Sequence, residues 1–227
     1  MLIDGLVDTK TAARLLGVSS RRVNQLADAG DIIKASRGLY DRLSIERHLV
    51  SRQGTPRRAW DTTTAWAAIA LLSGPHLRPD WFPERSTYRL EANLRAITAI
   101  DLVAKARHRA SIHVYTGHSS AARTIRSTVV ARDWSIVGLA GEVGDSVDGY
   151  VGAEQLASVV EQYALVAATS GNVTLRVTNF DMNAVRALAK ASDVLVALDA
   201  AGSVDARARG VGERVLERAL ARFRERR

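Results

Sequence analysis

The chain contains no cysteine among its 227 residues. That absence excludes disulfides, thiolate metal sites and cysteine nucleophiles at once. No apolar run approaches membrane-spanning length, and the N-terminus lacks the basic flank, apolar stretch and small-residue cleavage site of a secretory leader. A cytoplasmic protein without membrane contact is therefore expected. No internal repeat and no long low-complexity segment is present. Acidic residues are also missing locally. Between Ala104 and Arg132 there is no Asp or Glu, although six Lys or Arg and three of the five His fall there.

Recognisable catalytic patterns are scarce. Gly141-Glu-Val-Gly144 lacks a following Gly-Lys-Ser/Thr and is no phosphate loop, while Gly171 and Gly210-Val-Gly212 read as turns or helix breakers. Asp145 and Asp148 fall in a Gly-rich stretch that reads as a solvated turn rather than an acid–base pair. His108, His113 and His118, spaced five and five, project poorly from one helical face and have no carboxylate nearby in sequence. No catalytic residue, metal or cofactor is expected. A nucleic-acid-modifying enzyme, its groups converging from distant segments, stays open as an alternative.

What the chain does have is positive charge and one well-spaced segment. The formal net charge is +8, which favours a polyanionic partner. The first sixty residues carry eleven Lys or Arg against six acids. Within them, residues 9–28 space small and apolar side chains as a helix-turn-helix requires. Ala13 falls where two helices approach, Gly17 opens the turn, and Leu16, Val18, Val23 and Leu26 form the shared seam. Asp8 and Ser19 are the expected N-caps.

Facing outward are Ser19, Ser20, Arg21, Arg22, Asn24 and Gln25. Arg can donate two parallel hydrogen bonds to guanine, Asn and Gln can do the same to adenine, and Ser can hold phosphate. Arg21, Arg22, Asn24 and Gln25 are thus candidate base readers. The plainer alternative is a helical hairpin with a solvated polar face. Residues 31–41 predict two short strands around Arg37-Gly38, a wing whose Lys34 and Arg37 would reach phosphate or the adjacent groove, with Ser19 and Ser20. A third helix is expected over Leu43–Arg52, and then a linker in which Arg57 and Arg58 would lie along a DNA backbone.

An α+β chain follows: a winged helix-turn-helix over residues 1–55 and a mixed, mainly helical C-terminal domain with a small sheet over 60–227. Its predicted helices run Asp61–Leu72, Ser86–Arg109, Asn183–Ala191, Asp193–Ala201 and Asp205–Arg224. Predicted strands run Ser111–Tyr115, Trp134–Leu139, Gly149–Gly152 and Val173–Thr178. The acid-free region supplies a candidate second basic surface made of Lys105, Arg107, Arg109, Arg123 and Arg126, with a merely solvated basic face as the alternative.

Residues 9–50 resemble the small winged module of excisionase and MerR-type proteins. That module combined with Ser36-Arg-Gly-Leu-Tyr40, Arg58-Ala-Trp60, Trp66-Ala-Ala-Ile-Ala-Leu-Leu-Ser-Gly74, Leu195-Val-Ala-Leu-Asp199 and Ser203-Val-Asp-Ala-Arg-Ala-Arg-Gly210 resembles AbiEi-like antitoxins. The resemblance implies a DNA-binding transcriptional repressor on inverted repeats of its own promoter, paired with a nucleotidyltransferase-type toxin. One short reading helix needs a homodimer, side-by-side protomers or a second DNA-contacting surface for useful specificity. An excisionase-like or plasmid-maintenance accessory protein is the alternative, and a ligand-sensing regulator a further one.

Overall fold

The computed structural model describes residues 5–29, 31–51, 58–139 and 145–226. Its N-terminal part runs β1 (Leu6–Asp8), α1 (Thr9–Leu16), α2 (Ser20–Asp28), β2 (Lys34–Ser36), β3 (Leu39–Asp41) and α3 (Arg42–Ser51). Each helix start is set by a side-chain acceptor. The Asp8 carboxylate accepts from the Thr11 N–H at 2.7 Å and the Ser19 hydroxyl from the Arg22 N–H at 3.3 Å. At α3, the Asp41 carboxylate accepts from the Leu43 and Ser44 amides at 3.1 and 3.0 Å.

Gly17 ends α1 with φ 64°, a left-handed conformation that costs glycine little, and the Val18 N–H closes onto the Ala13 carbonyl at 3.0 Å. The three strands form an antiparallel sheet in the order β1-β3-β2. Ala12, Val23, Leu26, Ile32, Tyr40 and Ile45 make its core. Ala12 is the fully buried alanine of α1; Ala13 is only half-buried.

The remainder continues α4 (Thr62–Ser73), α5 (Glu84–Ala96), α6 (Ala99–Lys105), β4 (Ser111–Thr116), α7 (Ser119–Thr128), β5 (Val130–Ala131), β6 (Val147–Gly152), α8 (Leu156–Gln162), β7 (Val166–Ala167), β8 (Val173–Thr178), α9 (Met182–Ala191), α10 (Val194–Ala201) and α11 (Ala206–Glu225). Helices α4 and α10 are apolar nearly all round, so both are buried, every residue of α10 included. The five strands form one sheet in the order β5-β6-β8-β4-β7, with β6 and β8 parallel and every other pair antiparallel.

This sheet is covered on both sides. Val147, Val151, Val173, Leu175 and Val177 pack with Ala122 and Ile125 of α7 and Val159 of α8. The alternate positions, Asp148, Tyr150, Arg176 and Thr178, point the other way and are buried too. A period-two pattern ordinarily marks a half-solvated strand. Here the polar half is buried beneath the helical layer that contains Trp66. The Trp66 indole stacks on Phe180 at 5.3 Å and donates to the Arg109 carbonyl at 3.2 Å and to the Thr178 hydroxyl at 3.3 Å.

Several expectations are corrected. The helix predicted over Ser86–Arg109 breaks after α5, because Ile97 is extended and Thr98 starts α6 with a capping box. In that box the Thr98 hydroxyl accepts from the Asp101 N–H at 3.2 Å, while the Asp101 carboxylate accepts from the Thr98 N–H at 3.5 Å. The predicted strand at Trp134–Leu139 is instead a 3-10 turn over Trp134–Val137, nucleated by Asp133 and closed by Gly138 at φ 77°. Asp148 belongs to β6 and is no solvated turn residue. Helices α7 and α8 lie where no helix was predicted.

Gly210 and Gly212 lie inside α11 and break nothing. A Cβ on Gly212 would sit 2.4 Å from the Ala201 nitrogen and 2.5 Å from the Ala197 carbonyl oxygen, whereas one on Gly210 would meet only the Arg214 guanidinium at 3.5 Å. Gly212 thus permits direct backbone packing of α11 on α10. Gly210→Ala should raise the unfolding free energy by up to about 1 kcal/mol through helix propensity, and Gly212→Ala should lower it by about 1–3 kcal/mol through overpacking. Urea denaturation of both variants checks the opposite signs.

Candidate nucleic-acid interface

Helix α2 is divided cleanly by burial. Val23 and Leu26 face the core, while Ser20, Arg21, Arg22 and Gln25 are exposed on the other side. Among the described residues Arg21 has no hydrogen bond or ion pair. Arg22 reaches only Gln25 on the next turn, at 3.3 Å. Ser19 is spent on the cap, although its position at the exposed end of α2 is as expected.

Asn24 departs from its expected role as a base reader. It is half-buried; its amide donates to the Ser20 carbonyl at 3.0 Å and its oxygen accepts from the Tyr40 hydroxyl at 2.8 Å and from the Lys34 ammonium at 3.5 Å. These ties hold the amide within the module, unlike the outward-facing Arg21, Arg22 and Gln25. Asn24 is a positioning residue that fastens the β2–β3 hairpin to α2. The hairpin carries exposed Lys34 and Arg37, and its turn at Gly38 (φ 79°) is tied to α1 by the Thr9 N–H, 3.1 Å from the Gly38 carbonyl. Arg58 is exposed. Arg57 lies outside the described residues.

The expected second basic surface is not one surface. Lys105 and Arg109 are only 9% and 7% exposed. The Lys105 ammonium lies 5.2 Å from the Trp60 ring centroid, and Arg107 bonds the Ala104 carbonyl from a half-buried position. Arg123 is exposed on α7, and Arg126 bonds the Ser146 carbonyl. The basic residues are scattered because burial and local carbonyls claim most of them.

Arg109 belongs to a buried network that sequence spacing does not reveal. Its guanidinium donates to the Asp199 carboxylate at 2.6 Å and to the Tyr150 hydroxyl at 3.1 Å. Arg176 grips Asp148 with two nitrogens at 2.7 and 3.2 Å and reaches Asp199 at 3.0 Å. Arg132 also pairs with Asp148 while lying 4.1 Å from the Trp134 ring centroid. Burial works to raise the Asp199 pKa, but Arg176, Arg109 and Arg132 outweigh it and hold the carboxyl below the usual range. The same burial pushes the Tyr150 hydroxyl well up, so it stays protonated and donates to Asp199 at 2.8 Å. The available sequence signal was a charge inside each of two apolar strands, Asp148 and Arg176.

The three histidines do not converge. His108 contacts Asp31, His113 contacts Ser111 and His118 caps α7. Among the described residues no group of three or more His, Asp or Glu could hold a metal ion, and no helix is long and apolar enough to cross a membrane. No protein-family model, curated protein or solved structure matches this chain.

His108 and Asp31 make a hydrogen-bonded contact between residues 5–51 and the rest of the chain, at 3.0 Å, which is an ion pair only when the imidazole is protonated. Burial works to raise Asp31, yet the hydrogen bond from His108 and the charges of His48 and Arg107 hold its carboxyl below the ordinary 3.8. A lowered carboxyl pKa contributes stability above the unfolded value and loses it as the pH falls through the folded one. Asp31→Asn should therefore cost about 0.2–1 kcal/mol at neutral pH, a small figure because His108 is half exposed. The gap from the parent protein should close in acid below that ordinary value. Urea titrations at a series of pH values measure it, and a gap independent of pH would contradict this origin.

Proposed function

We propose that this protein is a sequence-specific, double-stranded-DNA-binding transcriptional repressor in which residues 5–51 act as a winged helix-turn-helix. The observation that carries the reading is the exposed row Ser20, Arg21, Arg22 and Gln25 on α2, with a basic hairpin fixed beside it. Exposed arginines on a rigid helix, Arg21 without an acceptor among the described residues and Arg22 tied only to the neighbouring Gln25, suit base edges and phosphates better than an internal role. Arg21, Arg22 and Gln25 read bases in the major groove, and Lys34, Arg37 and Arg58 hold phosphate or the neighbouring groove. Asn24 sets the angle between helix and wing.

Nine residues of α2 span about 13 Å at the helical rise, which covers only a few base pairs. Two protomers on an inverted repeat supply the missing specificity. The resemblance to AbiEi-like antitoxins extends the reading to an autoregulator whose larger part binds a nucleotidyltransferase-type toxin. In this reading the protein has no catalytic role of its own.

Footprinting on the region upstream of the protein's own gene tests the reading. Arg21→Ala combined with Arg22→Ala should abolish specific protection, since each bidentate contact is worth about 1–3 kcal/mol. Unchanged protection would remove the site assignment. Arg37→Ala should behave differently, weakening all sequences alike and reducing the slope of log K against log salt by about one unit. A change in sequence preference in that variant would make Arg37 a reader instead.

A further inference from the structure

A groove of about 670 Å³ runs along the surface between the start of α6 and the middle of α11. Its α6 wall carries Ile100, an apolar side chain left 39% exposed. Its α11 wall carries Gly210, Glu213, Arg214, Glu217 and Arg218. Among the described residues the side chains of Glu213, Arg214 and Arg218 make no hydrogen bond or ion pair. One Glu217 oxygen accepts from the Ala99 N–H at 2.7 Å and so holds the start of α6.

The order of these charges is unfavourable within one chain. Residues four apart share one side of a helix, so Glu213 stands over Glu217 and Arg214 over Arg218. Opposite charges at that spacing would support the helix, whereas this order sets like beside like. Gly210 has no internal reason either. Glycine weakens a helix interior, and Gly212 is needed where α11 meets α10, but a Cβ on Gly210 would meet only the Arg214 guanidinium at 3.5 Å. At 3.6 residues per turn Gly210 falls between the acidic row and the basic row.

We propose that this face is the pairing surface between two copies of the chain. A two-fold axis along α11 sets two such helices side by side and parallel, so that the acidic row of each meets the basic row of the other. An antiparallel pair would place like on like. The two copies of Gly210 meet at the axis, where the missing side chains let the backbones approach. Ile100 is then covered by the aliphatic stems of Arg214 and Arg218 from the second copy. The choice of a second copy as occupant rests in part on the repressor reading, which needs two protomers. Helix α6 also leads directly to His108 and its contact with the N-terminal module, so pairing at α6 and α11 sets the two modules relative to each other.

Sedimentation of the full chain without DNA, over a range of concentration and salt, tests the pairing. The parent protein should form a dimer whose dissociation constant rises with salt, because ion pairs across the seam are screened. Gly210→Gln, which suits a helix and points into open space, should keep the fold and raise the dissociation constant at least tenfold. Glu213→Arg alone, and Arg214→Glu combined with Arg218→Glu, should each weaken self-pairing to a similar degree, and mixing the two variants should restore a heterodimer. Glu217 is left in place because it holds α6. Arg186→Glu, at an exposed position on α9, should change nothing.

A parent protein that stays monomeric at every concentration, or a dimer indifferent to Gly210→Gln and to both charge changes, overturns the surface. Failure of the mixed variants to pair, where each alone is weakened, overturns the parallel arrangement and the proposal with it. A protein that pairs in this way yet protects no DNA site refutes the repressor reading alone, and a monomer that still protects its site refutes the pairing alone.

Discussion

The larger part of the molecule depends on keeping charges paired in a place with little water. Arg109, Arg132 and Arg176 meet Asp148 and Asp199 on the covered polar face of the five-stranded sheet, with the Tyr150 hydroxyl as a further donor. Removing one partner of such a buried pair typically costs about 3–5 kcal/mol, because the other charge is left unsolvated. The network therefore requires β6, β8, α10 and the turn at residues 106–109 to meet in one arrangement. It specifies geometry more than it adds stability. Among the described residues one Asp199 oxygen, Oδ2, has no hydrogen-bond partner.

The N-terminal module is organised by a different principle. It has its own apolar core, and its polar ties are short-range: caps at the helix starts and the Asn24–Tyr40 bond between α2 and the hairpin. On α2, Arg21 and Arg22 have no ion pair among the described residues, whereas Arg42 of α3 pairs with Glu46 one turn on at 2.9 Å. Where it meets the larger part, Asp31 contacts His108 across the boundary.

The helix pair and hairpin were legible because their determinants lie within a few residues. Asp8 and Ser19 cap three positions ahead, Gly17 supplies a positive φ, and Val23 and Leu26 repeat at helical spacing. The same rules succeeded for α4, α9, α10 and α11. They failed at Thr98, where Thr98-Ala-Ile-Asp101 offered a capping signature inside an unbroken apolar period. Asn24 was legible as an outward-facing amide on α2, but its capture by Tyr40 depends on how the hairpin folds back.

Sequence alone determined the mixed helix and strand character, the starts of α1 and α2 at Asp8 and Ser19 and the exposed basic face of α2, since each arises from interactions only three or four positions apart. Tertiary structure alone decided what became of the charges. Asp148 finds Arg176 across 28 positions and Asp199 finds Arg109 across 90, and the parallel pairing of β6 with β8 aligns Tyr150 with Arg176. A charged residue in a strand looks alike in sequence whether it meets water or a buried partner. Only the helical layer that excludes the water distinguishes the two.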